Sequence, residues 1–301
     1  MKRSRPAIHL VAIDGTWQDP TTVQTSTALR LMEAIGPMDT AAGDSLQYVP
    51  GLGYDPARRN PLGRLLAGAV GHGLHARVSE LTSRLVARTA PRDAVVLVGC
   101  SRGAAIARMM AARLVDRGRR VRLVVAVDTV SALGLPWVPW LDRWMVPERL
   151  PPAVESAVHL LALDEGGRHL RPRRLRETER HLEIWLPGDH GDLCGTRPGP
   201  LADLALRHVA ALVRAAAPLL ITRLPPWPTL RQVDDALAGR AHLRSSRPLG
   251  REARPTRIAM PSAMASPHPA LDEDLEWRAA RRRDLAGLVA PPAPHAGAAA
   301  A

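Results

Sequence analysis

Three apolar runs in this chain lead into residues that can attack a carbonyl, accept a proton or orient the acceptor. AVVLVGC leads into Ser101, RLVVAV into Asp128, and HLEIWLPGD into His190. A hydroxyl, an imidazole and a carboxylate are the parts of an activated oxygen nucleophile. In such a set His190 takes the Ser101 proton as the oxygen attacks an ester carbonyl. Asp128 holds the imidazole and stabilises its cation, and the proton passes on to the leaving alcohol. Asp192 is the rival acid, but it lies two residues from His190, an awkward separation for orienting the ring, so Asp128 is preferred. Among the 11 histidines, His190 is the one in a Gly-rich turn at a strand end.

The surroundings of Ser101 carry the most information. Gly99-Cys100-Ser101-Arg102-Gly103 is a G-x-S-x-G turn between a Val-rich run and an Ala-rich helical run, AAIARMMAARLVDRG. A serine presented at a sharp strand-to-helix turn needs small residues where strand and helix cross, which accounts for Gly99 and Gly103. The amide of Arg102 at the helix start can face a developing oxyanion. A second donor is expected from Gly15 or Thr16, in the polar turn Asp14-Gly15-Thr16-Trp17 after the first apolar run. Asp14 either orients that loop, contacts a site residue, or belongs to an ordinary Asp-Gly turn. Asp192 is kept among the residues expected near the oxyanion and substrate. Cys100 is not read as the nucleophile, because the turn presents its middle residue. If the site assembles, Cys100 and Cys194 come near enough for oxidation to matter.

The elements that must position these residues alternate between strand and helix. AIHLVAID (7–14) reads as a buried first strand, and STALRLMEAI as a short helix capped by Ser26 or Thr27. LQYVPGLGY (46–54) reads as a short broken strand and 55–63 as a polar loop. Residues 64–90 carry a long helical pattern. His72 and His75 within it lack a nearby acidic or third ligand and are read as structural or solvated. RLVVAVDT (122–129) is a near-continuous apolar strand of the kind found in parallel sheets covered on both faces. PPAVESAVHLLALDE (151–165) is read as a helix with proline in its first turn, 166–180 as an Arg-rich loop, and HLEIWLPG as a strand. A long helix is expected over 201–224. Trp137, Trp140 and Trp144 cluster between prolines in the segment 136–150, either a lid or acyl-chain surface or an irregular connection packed on the core. A catalytic domain over 1–224 and a Pro/Arg/Ala-rich extension over 225–301, partly ordered at best, are expected. A short apolar run lies near 230–238, and the tail from about 245 is read as weakly ordered apart from one short helix around LDEDLEWRAARRRDLAGLV.

Composition bounds the partners. The 301 residues carry a formal charge of +12 and no Phe. The charge raises peripheral contact with an anionic membrane, but an Arg excess spread over solvated faces explains it better, since no helix has a pure basic stripe. No basic, aromatic-interleaved segment argues for nucleic acid, so none is expected as a partner. Two cysteines make no disulfide framework. The run after Met1-Lys-Arg-Ser-Arg-Pro is broken by His9 and Asp14, too short for a signal-peptide core, and no stretch spans a bilayer. A cytoplasmic protein is expected. No phosphate-binding loop, dinucleotide fingerprint or metal set is present, so no cofactor and no metal are expected.

The chain order Ser101, Asp128, His190 is that of the α/β-hydrolases. The expected fold is therefore a mostly parallel central sheet with helices on both faces. Asp14-Gly15-Thr16-Trp17, PGLG (50–53), GCSRGAAIAR (99–108), VDTVSALG (127–134), ALDE (162–165) and PGDHGDLCG (187–195) occur in that order. Together they resemble an uncharacterised α/β-hydrolase family that includes phospholipase effectors of bacterial type VI secretion, over roughly residues 7–215. The resemblance implies Ser101 as nucleophile, Asp128 as acid, His190 as base, and acyl esters, phospholipid among them, as substrates. It also brings signal-independent secretion as an effector into view. The family usually has an aromatic where Cys100 stands, Asn where Gln18 stands, and His-Ser-Asp-Val-Gly-Gly where this chain has His190-Gly191-Asp192-Leu193-Cys194-Gly195. Three functions stand side by side: a lipid-ester hydrolase, an esterase or amidase on a small soluble substrate, and a non-catalytic basic binding protein on the same fold.

Overall fold

The computed structural model describes residues 5–16, 26–52, 74–130, 146–165, 170 and 172–239. The strands are β1 Ile8–Ile13, β2 Ser45–Val49, β3 Ala94–Cys100, β4 Arg120–Val127, β5 Ala157–Ala162 and β6 His181–Leu186. The helices, numbered in chain order, are α1 Thr27–Ala34, α2 Leu74–Arg88, α3 Arg102–Asp116, α4 His190–Leu193, α5 Pro200–Ala216 and α6 Leu230–Ala238. All six strands pair in parallel in the order β2-β1-β3-β4-β5-β6.

Alternation along the strands builds two cores. Val96, Val98 and Cys100 of β3 face one layer with residues of α1 and α5, while Val95 and Leu97 face the other with α2 and α3. Every residue of β1 and β3 is buried, as expected for central strands sandwiched between helical layers. A fully buried Leu or Val contributes roughly 1.5–3 kcal/mol of hydrophobic stabilisation, so these two faces hold the scaffold rigid beneath the loops. The strand order reverses between β1 and β3, because β2 lies on one side of β1 and β3 on the other. In open parallel sheets the crevice at such a reversal, beyond the carboxyl ends of the strands, is where ligands bind. Ser101, Asp128 and the Asp14 turn all follow strand carboxyl ends here.

Two sequence expectations are corrected. Residues 151–165 hold strand β5 rather than a helix. All six residues of AVHLLA are buried, so the run has no polar face for a helix to expose, and β5 supplies the pairing edge between β4 and β6. Pro151 and Pro152 lie in the turn before it. The helix expected over 201–224 stops at Ala216. Pro218 disfavours helical backbone in the residue before it, and the following chain crosses back so that Ile221 bridges Ile35.

The short apolar run near 230–238 is α6, whose Val233 and Leu237 pack on Leu201 and Leu204 of α5. Thr229 and Gln232 close a capping box at its start. Residues 53–73, the tryptophan segment through 145, and the tail from 240 lie outside the described residues, as does the helix expected around LDEDLEWRAARRRDLAGLV. Among the described residues no helix is long and apolar enough to cross a membrane.

Buried Arg108 of α3 ties the end of the tryptophan segment and the chain before β6 to the core. Its guanidinium donates to the carbonyls of Pro147, Arg173 and Arg174. Burial lowers its pKa to about 10, opposed by Glu183 and Glu148, so it stays charged at neutral pH.

Candidate active site

Ser101 sits at the junction of β3 and α3 with φ 57° and ψ −121°. A non-glycine residue pays for this left-handed backbone, and such strain persists only where the surroundings over-determine it. They do so here. The Ser101 amide donates to the Val127 carbonyl at 2.8 Å, which keeps the turn stitched to β4. A Cβ on Gly99 would lie 2.4 Å from the Gly103 carbonyl oxygen, and one on Gly103 would lie 2.4 Å from the carbonyl oxygen of Ile13. Both glycines are thus required by backbone crossing at the turn.

His190 stands at the first position of α4, a single helical turn placed by its cap. The Asp189 carboxylate accepts from the Asp192 amide at 3.1 Å, and Asp192 Oδ2 accepts from the Asp189 amide at 3.0 Å. Asp192 is buried, and its carboxylate is engaged in this reciprocal cap at the start of the helix that carries His190. The family-like ALDE segment supports the same turn from β5. Asp164 accepts from the Gly188 amide at 2.8 Å and Glu165 accepts from the His190 amide at 3.0 Å.

The three side chains meet in one line. His190 Nε2 is 3.0 Å from Ser101 Oγ, and His190 Nδ1 is 2.6 Å from Asp128 Oδ2. A carboxylate accepts, so Nδ1 carries the proton and Nε2 is left to accept from the serine hydroxyl. Asp128 is buried, and its other oxygen accepts from the Ala162 amide at 3.0 Å. Burial works against a charged His190. The hydrogen bond and charge of Asp128, with the charges of Glu165 and Asp189, outweigh it and raise the imidazole above its ordinary value. This arrangement can withdraw a hydroxyl proton and hold the resulting imidazolium.

The loop after β1 closes the other side. Asp14 accepts from the Gly15 amide at 2.8 Å and from the Tyr48 hydroxyl at 2.7 Å, and the Ser26 hydroxyl donates to it as well. Of the sequence alternatives, these bonds are those of a loop-orienting residue. Arg102 Nη1 donates to Thr16 Oγ1 at 3.0 Å, which ties the Ser101 turn to that loop. The amides of Gly15, Thr16 and Arg102 therefore belong to two segments pinned together beside Ser101.

Cys194 and Cys100 are buried free thiols in mutual contact. Cys194 Sγ also lies 3.8 Å from His190 Nε2. The hydrogen bond to Cys100, then burial, then the charges of Asp128 and Asp14 push the Cys194 thiol well up from its ordinary value. His75 Nδ1 meets Arg113 Nη2 at 3.3 Å on the surface, while His72 is outside the described residues. Among the described residues no group of three His, Cys, Asp or Glu side chains is placed to hold a metal ion.

Sequence reasoning missed Ser26 and Tyr48 as partners of Asp14, and Glu165 as a support for His190. It also missed His159 and Glu183, each a polar residue inside an otherwise apolar strand run, which is the signal that can find them.

A family model for the catalytic domain of Tle1-like phospholipase effectors of the type VI secretion system matches residues 9–119 and 112–211. The chain belongs to this family. The match takes in β1 through most of α5, and with them Ser101, Asp128 and His190. Among solved structures, an uncharacterized protein from Pseudomonas aeruginosa is similar to this Tle1-like catalytic domain with a TM-score of 0.50 at 18% identity, covering 98% of this chain and 61% of that one. A Tle1 effector bound to the VgrG spike has a TM-score of 0.42 at 16% identity, covering 66% and 52%. Est1E from Butyrivibrio proteoclasticus has a TM-score of 0.41 at 10% identity, covering 71% and 89%. The chain thus spans less than two thirds of the length of the first two. No match was found among curated proteins.

Proposed function

We propose that this chain is a serine hydrolase that cleaves carboxylic esters of lipid-like substrates, phospholipid among them, through an acyl-enzyme. The observation that carries the reading is the continuous hydrogen-bonded line from Ser101 Oγ through His190 to buried Asp128.

Ser101 Oγ attacks the ester carbonyl as its proton passes to His190 Nε2. Asp128 stabilises the imidazolium through Nδ1–H. The carbonyl π electrons move onto oxygen, and that oxyanion accepts from the Arg102 amide and from an amide of Gly15 or Thr16. Collapse breaks the carbon–oxygen bond to the leaving alcohol, which takes the proton from His190 and leaves the acyl group on Ser101. Water then attacks that ester, His190 takes the water's proton and returns it to Ser101 Oγ, and the fatty acid departs. Membership in a phospholipase effector family supports the lipid-like substrate and extends the reading to delivery by secretion.

The test is labelling by a fluorophosphonate probe together with turnover of p-nitrophenyl esters of rising chain length and of phosphatidylglycerol vesicles. Wild type is expected to label and to favour long acyl chains and vesicles. Ser101→Ala is expected to lose labelling and at least about 10⁴-fold in kcat. A preference for short, monomeric esters would redirect the substrate to a small soluble one. An unlabelled, inactive wild type would overturn the enzymatic reading.

A further inference from the structure

Asp128 holds its carboxylate toward His190 from a backbone with φ 42°, the left-handed region that a non-glycine residue rarely adopts. Such a conformation is unfavourable for a non-glycine residue and must be held from outside. Two restraints run to β5: the Asp128 amide donates to the Leu160 carbonyl at 2.7 Å, and the Ala162 amide donates to Asp128 Oδ1 at 3.0 Å. A third acts on the next residue, where the Thr129 carbonyl accepts from the Arg173 amide at 2.7 Å.

The fourth restraint is a side chain. The Thr129 amide donates to Nε2 of His159 at 3.1 Å, in the middle of β5. Thr129 and His159 are both at 0% exposure, so no water substitutes for this acceptor. An amide only donates, so Nε2 carries no proton. Burial, first among the influences on this ring, lowers its affinity for a second proton despite Glu183. The single ring proton is therefore on Nδ1, which donates to Glu183 Oε1 at 3.1 Å. Glu183 of β6 is in turn fixed by the Leu175 amide at 2.5 Å and by the Arg174 guanidinium. Carboxylate, imidazole and accepting Nε2 thus recur in the tautomer of the Asp128–His190 pair, with a backbone amide in place of the serine hydroxyl.

We propose that His159, held in its Nδ1–H tautomer by Glu183, is a positioning residue for Asp128: it fixes the turn that aims the carboxylate at His190. The inference rests on the reading of Asp128 as the acid of the reaction.

Two substitutions separate its contacts. His159→Asn ends near the position of Nδ1, so it keeps a donor for Glu183 and leaves the Thr129 amide without an acceptor. His159→Gln is one atom longer and carries a carbonyl toward Thr129. With a p-nitrophenyl ester as substrate, His159→Asn is expected to lower kcat about 10–100-fold with KM within about twofold, the size of effect that a small misplacement produces. Its low-field Nδ1–H proton resonance from His190 is expected to move or vanish. His159→Gln is expected to recover most of kcat and the resonance. A folded His159→Asn protein with wild-type kcat and an unmoved resonance overturns the inference.

A measurement on wild type guards against a variant that fails to fold. The ¹⁵N shifts of His159 at neutral pH are expected to report a neutral ring with bare Nε2, and an Nε2–H or doubly protonated ring overturns the inference. Asp128→Asn distinguishes the two levels. Full activity in that variant would overturn the reading of Asp128 itself. Loss there, beside an unaffected His159→Asn, would overturn the role of His159 alone.

Discussion

His190 Nδ1 lies 2.6 Å from Asp128 Oδ2, although 62 positions separate the two residues in sequence. The contact joins the loop after β4 to the helical turn after β6, across the carboxyl edge of the intervening β5. It sets the proton affinity of the imidazole, and a pH dependence follows.

The raised His190 pKa places the acid limb of ester hydrolysis above the ordinary imidazole value of about 6.5, because a general base must be neutral. Glu165→Gln keeps an acceptor for the His190 amide and removes a negative charge. It is expected to shift the acid limb to lower pH by less than about one unit. The sign for stability runs the same way. A raised folded-state pKa stabilises fully below the unfolded value, and that contribution is lost as pH rises through the folded value. A pH–rate profile of wild type and Glu165→Gln checks this, and an upward shift in the variant would sink it.

Gly103→Ala would put a Cβ 2.4 Å from the Ile13 carbonyl oxygen and 2.5 Å from that of Asp14. Neither backbone atom can swing aside as a side chain can, so β1 and the Ser101 turn must separate. A loss of about 1–3 kcal/mol is expected, with slower fluorophosphonate labelling of Ser101. Urea denaturation and labelling rates measure the two effects. Wild-type values for both would show that the crossing is looser than these distances.

Arg108→Met would leave the carbonyls of Pro147, Arg173 and Arg174 without this donor. These acceptors are only partly buried and water can reach some of them, so a loss of about 1–3 kcal/mol is expected. Arg108→Lys should recover only part of it, since an ammonium cannot span the fork that a guanidinium spans. Equal melting temperatures for Arg108→Lys and wild type would contradict this account.

Cys194 is expected to resist iodoacetamide in the native protein and to react on unfolding. Its thiolate is disfavoured by the hydrogen bond to Cys100, by burial, and by the charges of Asp128 and Asp14. Mass spectrometry of alkylated protein reads this directly. Rapid native labelling would contradict this, and activity that changes with reductant would support oxidation at this pair.

The turn at Ser101 was legible because it is local. G-x-S-x-G between a Val-rich run and an Ala-rich helix states its geometry within 24 consecutive residues, Ala94 to Arg117. The same holds for β1, β4 and β6, whose apolar runs end in polar residues, and for the order Ser101, Asp128, His190. Other features depend on neighbours far along the chain. AVHLLA is buried on every side, so it carries no period that separates strand from helix, and its place between β4 and β6 decided the matter. Once β5 was paired there, His159 came under the Thr129 amide and against Glu183. Cys100 and Cys194, two positions that depart from the family pattern, meet because β3 and the turn after α4 share one core. Apolar pattern and turn chemistry are properties of a segment, so the sequence alone determined them. Which donor a buried polar group finds depends on strand order and register, and those were decided only when the two helical layers closed over the sheet.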